Sequence, residues 1–93
     1  MTKAVRLVDE AREELLAEGT KYGTAFTRAV RAAFKLIAQF PEAWAAYPKR
    51  KGVRRYVMKR YPFVIVYREL ADEIRVLAIA ATRRRPGYWR GRR

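Results

Sequence analysis

Residues 53–81 read VRRYVMKRYPFVIVYRELADEIRVLAIAA, and they carry the strongest indication of the fold. It contains three runs typical of β-strands, which are Val53 to Arg60, Phe63 to Arg68 and Ile74 to Ala81. The second and third runs are apolar at nearly every position, as expected for strands buried on both faces. Because the connections between the runs are short, they predict an antiparallel meander. Such a sheet has two faces, and other parts of the chain must account for each of them.

The N-terminal half is predicted to supply one further strand and two helices. Lys3 to Val8 alternates loosely and predicts a short strand. Asp9 is a suitable N-cap for a first helix, which Gly19 should end. From Thr24 to Phe40 apolar residues recur at every third or fourth position, which is typical of an amphipathic helix. We therefore predict an α+β fold of order β-α-α-β-β-β, in which two helices cover one face of a mostly antiparallel sheet.

After the second helix, Pro41 is expected to open a further short turn of helix that Pro48 closes. Trp44 and Tyr47 within this turn are interpreted as core contacts beneath the loop. The remaining connections are short, and no repeat or linker interrupts the chain. Residues 1–93 are therefore predicted to form a single domain, with a modest core for a chain of 93 residues.

The composition excludes several kinds of site. The chain has no Cys and no His, which excludes disulfides, a Ser-His-Asp triad and metal sites built from these residues. We accordingly expect no metal and no cofactor. No apolar run is long enough to cross a bilayer, and the N-terminus lacks the apolar block of a signal peptide, so a cytoplasmic location is expected.

The net charge of +13 is concentrated in the second half of the chain. Residues 1–46 hold seven Lys and Arg against six Asp and Glu, whereas residues 47–93 hold fifteen against three. A body so charged attracts polyanions, with a strong dependence on salt. Because no basic amphipathic helix carries the charge, nucleic acid is favoured over a membrane surface as the partner.

The last twelve residues, Thr82 to Arg93, combine six arginines with Tyr88 and Trp89. Guanidinium groups match phosphate geometry, and aromatic rings offer faces on which bases stack. Because this basic-aromatic tail follows directly on an apolar strand, it is interpreted as functional; a solvated, frayed terminus is the alternative. Further basic residues from the strands and strand ends can converge with the tail on one concave surface, or else simply decorate the solvent face. They are Arg54, Lys59, Arg60 and Arg68.

Three blocks of the sequence together resemble a known family. They are the helical pattern of residues 26–37 followed by Pro41, the basic strand pair of residues 52–68, and residues 76–89, which lead from an apolar strand into Arg-Arg-Arg-Pro-Gly-Tyr-Trp. This combination resembles the RelE/ParE superfamily of toxins from type II toxin–antitoxin systems. Many relatives carry His before the arginine run, where this chain has Ala81, and residues 9–23 look shorter than usual.

The resemblance implies a small toxin that arrests growth when it is freed from an antitoxin, and it leaves two targets open. RelE-like members cleave mRNA in the ribosomal A site, which would make the protein an enzyme. ParE-like members inhibit DNA gyrase and do not themselves cleave nucleic acid. The implied partner is a cognate antitoxin, usually acidic, which wraps the helices or extends the edge of the sheet.

Ribosome-dependent mRNA cleavage is favoured slightly, because basic residues on several strands suit a polyanion groove. In this hypothesis Lys59 is the base or charge stabiliser, Arg83 a phosphate clamp, and Tyr88 a stacking or proton-transfer residue. The alternatives are a gyrase inhibitor that docks through Trp89 and the tail, and a non-toxic RNA-binding protein. The residues predicted to bind the nucleic acid or protein target are Arg54, Arg55, Arg60, Arg68, Arg84, Arg85, Trp89 and Arg90.

Overall fold

A computed structural model describes residues 2–93, which form two helices and four strands in the predicted order. The strand order in the sheet is β1-β4-β3-β2. β4 pairs with β3 and β3 with β2, both antiparallel, whereas β1 lies parallel to β4. The predicted α+β fold with a mostly antiparallel sheet is confirmed. The elements are β1 (Ala4–Leu7), α1 (Asp9–Tyr22), α2 (Thr24–Gln39), β2 (Val53–Val57), β3 (Phe63–Glu69) and β4 (Glu73–Ala81).

The first helix differs from the prediction at both ends. α1 continues through Gly19 to Tyr22, and the chain turns instead at Gly23, whose φ of 89° and ψ of −175° are accessible almost only to glycine. Val8 occupies the N-cap position, so Asp9 is the first helical residue. At this position the negative charge of the Asp9 carboxylate interacts favourably with the positive end of the helix dipole, but no side chain caps a backbone N–H. Neither helix is long and apolar enough to cross a membrane within residues 2–93.

One face of the sheet is covered by the two helices, as predicted. α2 turns a single apolar side toward the strands, and Phe26 at its start is fully buried. The ring of Phe26 lies 5.1 Å from that of Phe63 on β3, measured between centroids. We call this side of the sheet the helix-covered face. Its buried residues are Ala11, Phe26, Val30, Ala33, Ile37, Met58, Phe63, Ile65, Tyr67, Ile74, Val76 and Ile79.

The loop between α2 and β2 contains turns rather than the predicted extra turn of helix. Its backbone bonds to the outer edge of the sheet instead: Ala46 bridges to Arg54, and the N–H of Tyr47 donates to the carbonyl of Val53 at 2.7 Å. β2 is an edge strand with unpaired backbone groups, so the backbone of the loop hydrogen-bonds to β2 and does not form a helical turn. Trp44 and Tyr47 both pack against buried residues, which confirms their interpretation as core contacts.

Candidate functional site

The second face of the sheet is covered by the C-terminal tail. Trp89 is 1% exposed and packs against a cluster that includes Val66 of β3 and Ala78 of β4. The tail reaches this position through successive tight turns, in which backbone N–H groups of residues 84, 88, 90 and 92 donate to carbonyls three residues earlier. We call this side the tail-covered face. The tail is thus an ordered part of the core and not a frayed terminus.

The burial of Trp89 corrects the expectation that it is exposed for docking to a target. Its ring meets Tyr47 edge-on, with the two centroids 4.9 Å apart. An indole that follows an apolar strand gains more from packing on that strand's sheet than from remaining in water. In this conformation Trp89 anchors the tail to the sheet.

A single carboxylate fastens the tail to α1. The hydroxyl of Tyr88 donates to Glu14 Oε2 at 2.6 Å, and Arg92 donates through Nη1 and Nη2 to both Glu14 oxygens, at 2.9 and 3.1 Å. The backbone N–H of Ile79 donates to Glu14 Oε1 at 3.0 Å, since β1 ends opposite Val76 and leaves the outer edge of β4 open beyond it. We call this set of four hydrogen bonds the Glu14 clamp.

The clamp determines the proton chemistry of Tyr88. Burial raises the pKa of Tyr88 well above its usual value, and the hydrogen bond to Glu14 raises it further. The hydroxyl is therefore protonated at neutral pH, and its hydrogen is already donated to Glu14. Arg84 lies over the Tyr88 ring at 3.9 Å and Arg92 lies at 5.1 Å, so the ring is covered as well.

The three predicted catalytic residues line three different depressions. Lys59 is exposed in the turn between β2 and β3 and lines a depression beside α2. Arg83 lines a second depression, beside α1. Tyr88 lines a third, with Arg84 and Arg85. The turn that carries Lys59 and the end of β4 before Arg83 meet at one end of the sheet, where the N–H of Thr82 donates to the carbonyl of Pro62 at 2.9 Å. The depressions of Arg83 and Tyr88 adjoin, since both are lined by Ala81 and Thr82.

The predicted target-binding residues divide in the same way. Arg54 belongs to the helix-covered side, where its Nη1 donates to the carbonyl of Trp44 at 2.8 Å. Arg60 lies beside Lys59 in the depression along α2. Arg68 pairs within the sheet with Val53 and does not line any depression beneath the tail. The expected single concave surface containing all these residues is therefore not formed.

The other predicted arginines do meet, on the tail-covered face. They line two adjoining depressions of about 190 and 620 Å³, which share Tyr47, Arg55 and Pro86. Lys49 and Arg50, which are not among the predicted residues, complete the lining, and it contains no acidic residue. We call this surface the cationic cleft. Its basic residues are Lys49, Arg50, Arg55, Arg84, Arg85 and Arg90.

Aromatic rings hold part of the cleft in place. The guanidinium of Arg50 lies 5.7 Å from the Trp89 centroid, and its Nη2 also donates to the carbonyl of Arg90 at 3.2 Å. Arg55 lies over Tyr47, also at 5.7 Å. Among residues 2–93, the ion pairs with carboxylates involve only Lys3, Arg6, Arg75 and Arg92. The charges of the cleft are therefore positioned but not neutralised.

The run Lys49-Arg50-Lys51 is the only sequence signal that pointed to the extra residues of the cleft. No local sequence pattern indicates that this loop covers the same face of the sheet as the tail. Its position depends on the contact between Arg50 and Trp89, which are distant in the sequence. Within the described part of the chain, no group of three or more acidic side chains is placed to hold a metal ion.

Comparison with known proteins places the chain among toxins. The family described as ParE toxin of type II toxin–antitoxin system, parDE, matches residues 5–86. A solved chain described as "Chromosomal ParDE TA system from P. aeruginosa" is similar in structure, with a TM-score of 0.62 and 21% identity over 86% of this chain and 96% of that one. At that identity the likeness supports the fold alone. Curated protein sequences give no significant match.

Proposed function

Because the chain belongs to the ParE toxin family of type II toxin–antitoxin systems, we propose that it arrests growth by binding and inhibiting DNA gyrase when it is free of its cognate antitoxin. This is the activity that the resemblance to ParE-like members implies. The observation that carries the choice of target is the separation of Lys59, Arg83 and Tyr88 into three depressions.

RNA cleavage requires several groups around one phosphate. A base must deprotonate the 2′-hydroxyl, cations must stabilise the phosphorane, and an acid must protonate the leaving oxygen, each within hydrogen-bond reach. In this conformation Lys59, Arg83 and Tyr88 line three different depressions, and the Tyr88 hydroxyl is engaged by Glu14. An inhibitor that acts by docking needs only a complementary surface, which ordered, exposed arginines such as Arg85 and Arg90 can provide.

Ribosome-dependent mRNA cleavage is the competing function. The observation in its favour is the cationic cleft itself, since a concave surface with six basic residues and no acid also suits RNA phosphates. It would have to use a set of residues other than the predicted Lys59, Arg83 and Tyr88, or a rearrangement that unites them on the ribosome.

The cognate antitoxin is proposed to be acidic. Residues 47–93 carry a net charge of +12, from fifteen basic and three acidic residues, and a chain of opposite charge would associate rapidly with such a body. The same charge explains why the free toxin should bind its partner more weakly as salt increases.

Two assays with the purified toxin test the target. The first follows supercoiling of relaxed plasmid by purified gyrase with ATP, and the second maps mRNA 5′ ends by primer extension in a reconstituted translation reaction. We expect inhibited supercoiling and intact mRNA. Cuts within codons that depend on the ribosome, with normal supercoiling, would overturn the proposal, and so would growth arrest in cells with neither effect.

Substitutions separate the two mechanisms in cells. Lys59→Ala and Arg83→Ala are expected to leave growth arrest unchanged, because neither residue belongs to a common reaction centre in this structure. Loss of a general base or phosphate clamp usually lowers the rate by about 100-fold or more. A loss of that size in either variant, with the protein still folded, would favour mRNA cleavage.

A further inference from the structure

The cationic cleft concentrates more positive charge than the fold requires. Its six basic residues come from the loop before β2, from β2 itself and from the tail, and none forms an ion pair with a carboxylate within residues 2–93. Like charges held close together disfavour the folded state. Elsewhere the chain neutralises such groups: Arg92 is paired with Glu14 and Arg75 with Glu73. The contrast indicates a surface arranged for an external anion.

The form of the cleft favours a phosphate chain over a single small anion. The larger depression has a volume of about 620 Å³ and opens between Lys49 on one side and Arg90 on the other. It continues through Arg55 into the smaller depression, beside Arg84 and Arg85. Three guanidinium groups are held against aromatic rings, which reduces the conformational entropy that they lose when a phosphate binds.

The rings near the cleft are poorly placed for contacts with bases. Trp89 is 1% exposed, Arg84 lies over the Tyr88 ring at 3.9 Å, and Arg55 lies over the Tyr47 ring at 5.7 Å. Recognition of single strands relies on bases that stack on free aromatic faces. A cleft that offers guanidinium groups without free rings matches the phosphates of a duplex, which carries about one negative charge for each 1.7 Å of its axis.

We propose that the cationic cleft binds the phosphate backbone of duplex DNA without sequence specificity, so that the toxin contacts DNA directly. This goes beyond inhibition of gyrase, because it requires no contact with that enzyme and is measured in its absence. If both proposals hold, the toxin engages gyrase together with the DNA on which gyrase acts.

The test measures binding of the purified toxin to a fluorescein-labelled duplex of about 20 base pairs, which is longer than the 33 Å of the protein's largest dimension. Fluorescence anisotropy is followed from about 50 to 200 mM salt, where the logarithm of affinity should fall linearly with the logarithm of salt. With about four phosphates neutralised, the slope is expected to be about −4, and it should be the same for duplexes of unrelated sequence.

Two triple variants with equal loss of charge locate the site. The first is Lys49→Gln, Arg85→Gln and Arg90→Gln, whose side chains line the cleft, are exposed and make no hydrogen bond or ion pair within residues 2–93. The matched control is Arg12→Gln, Arg28→Gln and Arg31→Gln, which are exposed on the two helices and likewise unpaired. Circular dichroism and thermal unfolding check that both variants remain folded.

The cleft variant is expected to lose three phosphate contacts, so that its slope becomes shallower by about 2 to 3 and its affinity at low salt falls by about 100-fold. The control should keep the slope of the unaltered protein. Equal weakening in both variants would overturn the proposal, because it would mean that the charge acts diffusely. Tighter binding of single-stranded RNA of the same length, or equal competition by polyglutamate, would also overturn it.

Discussion

The two faces of the sheet are closed by different means. On the helix-covered face, two regular helices supply a ridge of apolar side chains, and aromatic pairs such as Phe26 with Phe63 of β3, at 5.1 Å, join them to the strands. On the tail-covered face, the cover is a segment of twelve residues without a helix or strand. The indole of Trp89 packs on the sheet, and Tyr88 donates a hydrogen bond to the carboxylate of Glu14 on α1. The comparison teaches that an irregular segment can close a core when a buried ring and a local hydrogen-bond network fix it.

The two faces also differ in what they leave at the surface. The Glu14 clamp neutralises Arg92, but the rings beneath the tail support Arg50, Arg55 and Arg84 without neutralising them. The residues that close the tail-covered face are thus the same ones that position the cationic cleft. Stability and the proposed binding therefore depend on shared contacts there, whereas the helix-covered face serves mainly the core.

The largest effect is expected at Trp89, whose burial by the tail should stabilise the core as much as the burial of Phe26 on α2 does. Trp89→Ala should lower the free energy of unfolding by about 3 to 5 kcal/mol, which is as much as Phe26→Ala, because both remove a fully buried aromatic side chain. Unfolding by urea measures both. Leu16→Ala is the control, since Leu16 is 66% exposed and should change stability by about 0.5 kcal/mol at most. A cost below about 1 kcal/mol for Trp89→Ala would break the comparison.

The next effect concerns the clamp that only the tail-covered face possesses. Glu14→Ala leaves the Tyr88 hydroxyl and the Ile79 N–H without their acceptor and leaves Arg92 with only the carbonyl of Leu77. It should destabilise the fold by about 2 to 3 kcal/mol. The same unfolding measurement on Glu13→Ala, an exposed neighbour on α1, should show about 0.5 kcal/mol or less.

A double-mutant cycle sharpens this result. Glu14→Ala combined with Tyr88→Phe should give a coupling energy of about 1 kcal/mol, as expected for groups that share a hydrogen bond. Strict additivity of the two substitutions would mean that Tyr88 does not depend on Glu14, and the clamp would then rest on Arg92 and the Ile79 N–H.

A further effect appears only at high pH and involves one tyrosine from each face. Burial raises the pKa of Tyr67 to about 12 from a usual 10.0, and it raises the pKa of Tyr88 as well. The unfolded chain loses the two tyrosine protons at a lower pH than the folded protein does. The contribution of each tyrosine to the free energy of unfolding is therefore fully present below pH about 10 and decreases as pH rises beyond it, by up to about 1.4 kcal/mol per pH unit.

Denaturant unfolding from pH about 8 to 12 measures this decline. Tyr67→Phe and Tyr88→Phe should each make the decrease in the free energy of unfolding above pH about 10 shallower, by the amount that one tyrosine contributes. Identical declines in the unaltered protein and both variants would contradict the assignment. If only Tyr67→Phe changes the decline, the tail leaves the sheet before Tyr88 titrates, and the two covers differ in strength.

Much of the fold was predictable because its signals are local. The apolar runs beginning at Phe63 and Ile74 predicted β3 and β4, and the spacing of apolar residues after Thr24 predicted α2 and its buried side. The errors arose where distant contacts prevail over local preference. Gly19 lies inside α1, and the loop around Trp44 follows the edge of β2 rather than forming a helical turn.

The candidate site was predictable only in composition. The sequence shows that the second half is strongly basic and yields four binding candidates that the structure groups together. They are Arg55, Arg84, Arg85 and Arg90, and their grouping does not follow from the sequence. Arg54 and Arg55 are neighbours in sequence, yet they point to opposite faces because side chains alternate along a strand.

The order of the elements, the buried side of α2 and the sign of the charge can be derived from the sequence, because each depends on neighbouring residues and their period. Three features emerge only from the folded arrangement: Trp89 belongs to the core, Glu14 reaches Tyr88 across a separation of 74 residues, and the loop at Arg50 contacts the tail. The physical reason is that burial and hydrogen bonding between distant segments depend on the whole packed sheet, which no local pattern encodes.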